Sequence, residues 1–96
     1  MDWAAAISGR LLVSFRYQGH ARVVIPAAYG LHATTHNPIL RAYQIRGTSS
    51  TRPVPLWDLF LLDEIQGPAI LDETFDADPP GYKRNDKHIS PIYAQL

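Results

Sequence analysis

The sequence predicts a mainly β domain: a small, strongly bent antiparallel barrel of five strands with a short N-terminal helix. Three observations carry this. Apolar and polar residues alternate over short runs, turn-forming Gly, Pro, Asn and Ser residues separate those runs, and a helix signature stands at the start of the chain. With 96 residues, 46% of them hydrophobic, the chain has enough apolar material for one core and too little length for two. The division is residues 1–9 helix, 10–76 barrel and 77–96 irregular C-terminal tail, all within one domain.

Asp2 is an N-cap candidate ahead of three alanines, and Gly9 stops the run, which predicts about two helical turns. Trp3 and Ile7, four apart, lie on one face. Leu11–Tyr17 reads as a first strand with Leu11, Val13, Phe15 and Tyr17 on one side. Gln18-Gly19-His20 turns the chain, and Ala21–Ile25 returns as a second strand, with Pro26 marking a kink beyond which Ala27–Leu31 can continue it. His32–Asn37 is a polar loop. Ile39–Arg46 is a third strand, with Leu40, Ala42 and Gln44 opposite Ile39, Arg41, Tyr43 and Ile45. Gly47–Pro55 is a loop. Leu56–Leu62 is a fourth strand, Asp63-Glu64 a turn, and Ile70–Phe75 a fifth strand. Ile89–Leu96 fits either a strand or a docking turn.

At this point the order of features resembles the WYL domain, a Sm-like, SH3-like barrel of bacterial regulators. The pieces that carry the resemblance are Val13-Ser14-Phe15-Arg16-Tyr17 followed by Arg22-Val23-Val24-Ile25-Pro26, then Gly30-Leu31, Ile39-Leu40-Arg41-Ala42-Tyr43, Leu59-Phe60-Leu61-Leu62-Asp63-Glu64-Ile65 and Leu71-Asp72-Glu73-Thr74-Phe75. The chain departs from the pattern where the tripeptide that names the family falls on Pro38-Ile39-Leu40. It departs again where relatives carry basic residues and this chain has Asp58, Leu61 and Glu64. The resemblance implies a regulatory module that senses nucleic acid or nucleotide ligands. Relatives sit behind a winged helix-turn-helix, so this chain is expected to be a free-standing, divergent example.

Nine Lys and Arg balance nine Asp and Glu, but unevenly along the chain. Residues 1–52 hold six arginines and Asp2, a sum of +5, and residues 53–96 hold eight acids against Lys83, Arg84 and Lys87, a sum of −5. Such polarity either neutralises itself within one sheet or marks a charged partner.

The strongest candidate site is cationic and aromatic: Arg16, Tyr17, Arg41, Tyr43, Arg46, Arg52 and Trp57. Guanidinium groups match phosphate oxygens bidentately, and aromatic faces stack bases, so this set suits single-stranded nucleic acid or a nucleotide. The competing explanation is that the tyrosines are core or rim residues and the arginines pair with the acidic half. His32 and His36 are four apart, but no carboxylate or cysteine nearby completes a metal site, and Asp76–Lys87 lacks the glutamate that closes a calcium loop. Without cysteine there is no thiol nucleophile, and the serines lack a nucleophile-elbow context, so the expectation is a non-enzymatic module with no cofactor and no metal. The acid at position 2 and the absence of a long apolar run lead to the expectation of a cytoplasmic protein with no membrane contact. The alternative function is protein interaction or self-association, as a homodimer, through the apolar strand Leu56–Leu62.

Overall fold

Asp2 caps the helix α1 (Trp3–Ser8) as its position predicts, its Oδ1 accepting from the Ala5 N–H at 2.9 Å. A first-turn donor with no partner inside the helix is thereby satisfied. The computed structural model describes residues 1–50 and 52–96, and the loop read over residues 47–55 is therefore described except at Thr51. Trp3, Ala6 and Ile7 are buried on one stripe of α1, and Trp3 meets Phe15 edge to face with ring centroids 6.4 Å apart.

The strands β1 (Leu11–Tyr17) and β2 (His20–His32) form a hairpin closed by Gln18 and Gly19, at φ 52° and 77°. Two left-handed residues in succession give the turn whose twist matches that of the flanking strands. The register pairs Val13 with Val24 and Phe15 with Arg22. Since Val13, Phe15 and Tyr17 point into the core, Arg22 must as well, and it is only 2% exposed.

β2 runs without interruption through Pro26 and serves as the spine of the fold. β3 (Pro38–Gly47) pairs along it, with a register shift between Pro26 and Ala28 where the proline has no N–H to donate. On its other side β2 pairs β1 as far as Val24, and from Ala28 to His32 it pairs β6 (Ile89–Gln95) instead. β4 (Leu56–Leu61) flanks β3, a short 3-10 turn follows at Leu62–Glu64, and β5 (Gln66–Thr74) flanks β1. All pairings are antiparallel, and the order is β4-β3-β2-β1-β5, with β6 branching from β2.

Two expectations are corrected. The described residues form six strands, not five, because Ile89–Gln95 is a strand and not part of an irregular tail. The sheet is open and not a closed barrel: β4 and β5 stand at its two ends and do not pair. At the end of β5 nearest β4, Gly67 takes φ 58° and Pro68 lacks an N–H, so this stretch offers a poor ladder to a neighbour. β5 also begins earlier than the alternation of residues 70–75 suggests, and most of it is exposed.

The core has two parts. Trp3, Val13, Phe15, Tyr17, Val24, Leu40, Ala42 and Phe60 fill the concave side of the sheet. A smaller cluster of Ala28, Ile39 and Ile89 lies under β6, with Leu59, Leu61 and Ile92 against it. β4 thus buries Phe60 on one face, while Leu59 and Leu61 on the other stay half-buried against the smaller cluster.

Gly30 is what allows β6 to approach β2, since a Cβ there would collide with the Pro91 carbonyl and the Ile89 side chain. Gly30→Ala is expected to cost about 1–3 kcal/mol through overpacking and to loosen β6 selectively. Denaturant unfolding measures the first effect and amide exchange across residues 89–95 the second; native stability with unchanged exchange would count against this account.

Candidate ligand-binding site

The alternation read along residues 39–46 holds. Leu40, Ala42 and Gln44 are buried, while Arg41, Tyr43 and Ile45 occupy the other face and are half-buried. Across the β3–β4 ladder Tyr43 pairs with Trp57 and Arg41 with Leu59, which puts Arg41, Tyr43 and Trp57 on one outer surface. The Tyr43 and Trp57 rings have centroids 5.2 Å apart.

A strap formed by residues 79–88, between β5 and β6, lies against this surface. The Trp57 Nε1–H donates to the Pro80 carbonyl at 2.7 Å, and the Tyr82 ring stacks on the indole at 6.3 Å with an interplanar angle of 27°. Arg41 Nε donates to Asp86 Oδ2 at 2.7 Å. Asp86 Oδ1 also accepts from the His88 backbone N–H at 2.9 Å and lies 3.1 Å from His88 Nδ1. Between strap and sheet is a cavity of about 460 Å³, to which Lys83, Arg84 and Lys87 add basic groups beside Arg41. The cavity lining thus holds four basic residues and one carboxylate, in a chain whose net charge is zero, with Arg84 Nη1 donating to the Leu96 carbonyl at 2.6 Å.

Burial alone would raise the Asp86 carboxyl. The hydrogen bonds from Arg41 and from the His88 backbone, together with the Arg41 charge, outweigh burial and hold it below its ordinary value. A folded value below the unfolded one means that the pair stabilises the fold above the ordinary carboxylate range. That contribution is lost as pH falls through the depressed value. Burial pushes the Tyr82 phenol up, keeping its O–H as the donor to the Leu96 carbonyl at 2.8 Å.

The remaining candidates do not join this cluster. Tyr17 belongs to the core, where its hydroxyl accepts from the Leu61 N–H at 3.1 Å. Arg16 donates to the Gly19 carbonyl at 2.8 Å at the hairpin end, and Arg46 pairs with Glu73 at 2.7 Å on the exposed side of the sheet. Arg52 donates to the Trp57 carbonyl at 2.9 Å and so adjoins the site through the backbone of that residue. Four ion pairs, Arg10–Asp78, Arg22–Asp58, Arg41–Asp86 and Arg46–Glu73, each join the basic first half to the acidic second. Much of the charge polarity is thus consumed inside the fold.

Tyr82, Lys83, Arg84 and Lys87 were not among the candidates read from the sequence, and their clustering between two glycine- or proline-marked ends, Pro79-Pro80-Gly81 and Pro91, is the signal that was there. Elsewhere, the Nδ1 of His32 accepts from the backbone of Thr34 and Thr35. Among the described residues no group of three or more His, Cys, Asp or Glu is placed to hold a metal ion, and no helix is long and apolar enough to cross a membrane. No family model, curated protein or solved structure matches the chain.

Proposed function

We propose that this chain is a non-enzymatic, WYL-like binding module whose β3–β4 surface takes single-stranded nucleic acid or a nucleotide-like ligand. The observation that supports this best is the juxtaposition of Arg41, Tyr43 and Trp57 beside a cavity rimmed by Lys83, Arg84 and Lys87. A guanidinium and three further cations suit phosphate, and a half-buried indole beside two tyrosines suits a base. The lining holds no Ser, Thr or Cys that the Asp86–His88 pair could activate as a nucleophile, which favours binding over chemistry.

Anisotropy of a labelled single-stranded oligonucleotide tests the reading. Binding is expected at low salt, with log K falling steeply against log salt as counterions are released. Trp57→Ala is expected to weaken it by roughly tenfold or more, since stacking of one base contributes about 1–3 kcal/mol. Arg41→Ala is expected to weaken it and to flatten the salt slope. Absence of binding at low salt removes the proposal.

A further inference from the structure

The groups best suited to a nucleotide are already engaged. Arg41 has a carboxylate on its guanidinium, and Trp57 has an aromatic ring against its indole. These are the contacts that a phosphate and a base would make. Both come from the same strap: Asp86 supplies the anion and Tyr82 the ring, four residues apart. The Arg41–Asp86 contact is also well shielded, with side chains 24% and 13% exposed, so an incoming anion cannot reach this face of Arg41 while Asp86 holds it.

We propose that the strap is an internal occupant of the binding surface, with Asp86 in the phosphate seat on Arg41 and Tyr82 on the base platform of Trp57. A nucleotide-like ligand binds by replacing them. This rests on the binding function proposed above and assigns its regulation. Lys83 and Lys87 lie on the strap with Asp86, line the same cavity and are themselves exposed, so they move with it, and Arg41 is the cation of the sheet that its withdrawal frees. Displacement at both points needs a ligand carrying both a phosphate and a planar ring. Inorganic phosphate supplies only one of them, so the occupied site discriminates against it.

The cost of displacing an occupant reduces apparent affinity by the fraction of protein in the open state. Asp86→Asn removes the anion and keeps the shape, and is expected to bind the labelled oligonucleotide about tenfold more tightly than the native chain. Asp86→Glu restores the charge and is expected to return affinity toward the native value. Tyr82→Ala, which leaves the Arg41–Asp86 pair intact, tests the other half: quenching of Trp57 emission by oligonucleotide is expected at lower concentration. Hydrogen exchange gives a second readout, because ligand that replaces the strap is expected to speed exchange of the Asn85 and Ala33 amides, which join the strap to the rest of the fold through Gln95 Oε1 and the His88 carbonyl in the free protein.

If the native chain binds but Asp86→Asn binds equally or less well, the occupant is overturned while the binding function stands. Slower exchange of those amides on binding has the same meaning, since the strap then clamps the ligand and does not yield to it. If neither the native chain nor the variants bind oligonucleotide, the binding function falls and the occupant with it.

Discussion

Phe60→Ala is expected to lower the stability of the fold by about 3–5 kcal/mol, the loss typical of truncating a buried aromatic residue. Phe60 has no exposed surface and stands at the centre of the larger core. It meets Phe15 at 5.1 Å and Tyr17 at 5.0 Å, both edge to face, and its own ring lies under the Arg22 guanidinium at 5.5 Å. Three interactions thus end at once, and the cavity opens among residues from β1, β2 and β4, whose backbones are held by their ladders and cannot close around it. Against a total stability of about 5–15 kcal/mol for a small domain, that loss decides whether the chain folds at 37 °C. Urea titration should show the midpoint falling with an unchanged slope. A loss below about 1 kcal/mol would show that the core can collapse around position 60.

The hairpin and the β3 face were legible in the sequence because their information is local. Alternation along residues 11–17 and 39–46, with Gly19 in the turn, fixes which side chains point inward, and Arg41 and Tyr43 follow from the same parity. Trp57 was legible as an aromatic on a strand. The strap was not, because residues 79–88 have no periodicity and their positions depend on long-range contacts: Trp57 to Pro80, Arg41 to Asp86, Asn85 to Gln95. Counting charge by halves also concealed it. Lys83, Arg84 and Lys87 looked like a minor remainder within an acidic segment, although in the fold they stand together across from Arg41. That β6 is legible only as a strand or a docking turn has a similar cause, since Pro91 breaks its alternation and its pairing partner lies some sixty residues earlier, at Ala28–His32. The expected barrel failed at β5, where Gly67 and Pro68 could be read as interruptions only once the strand was known to begin at Gln66.

Arg22 is the instructive case, because summing charges counts it as a surface cation while the hairpin register places it inside. Counting back from a two-residue turn at Gln18-Gly19 sets Arg22 opposite Phe15, on the inward face. Burial pulls the guanidinium below its usual value, with Asp58 and Tyr17 acting the other way. Its Nε and Nη2 donate to the Tyr17 carbonyl at 3.3 and 3.1 Å, and its Nη1 donates to Gln44 Oε1 at 3.3 Å, with Asp58 Oδ2 farther off at 4.0 Å. Gln44, fully buried, passes the connection on: its Nε2 donates to the carbonyls of Arg46 and Thr48, holding the end of β3. Arg22→Ala is therefore expected to cost about 3–5 kcal/mol, because a large cavity opens and the buried acceptors lose their donor together. Arg22→Met separates the two causes. It refills most of the volume but supplies no donor, so it is expected to cost about 1–3 kcal/mol, the penalty for a buried polar group left unpaired. The same urea titration reads both variants, and weaker amide protection at Thr48, whose N–H donates to the Ala21 carbonyl, should accompany each of them. Were Arg22→Met as stable as the native chain, the polar contacts would contribute nothing net, and Arg22 would serve the core only as bulk stacked between Tyr17 and Phe60.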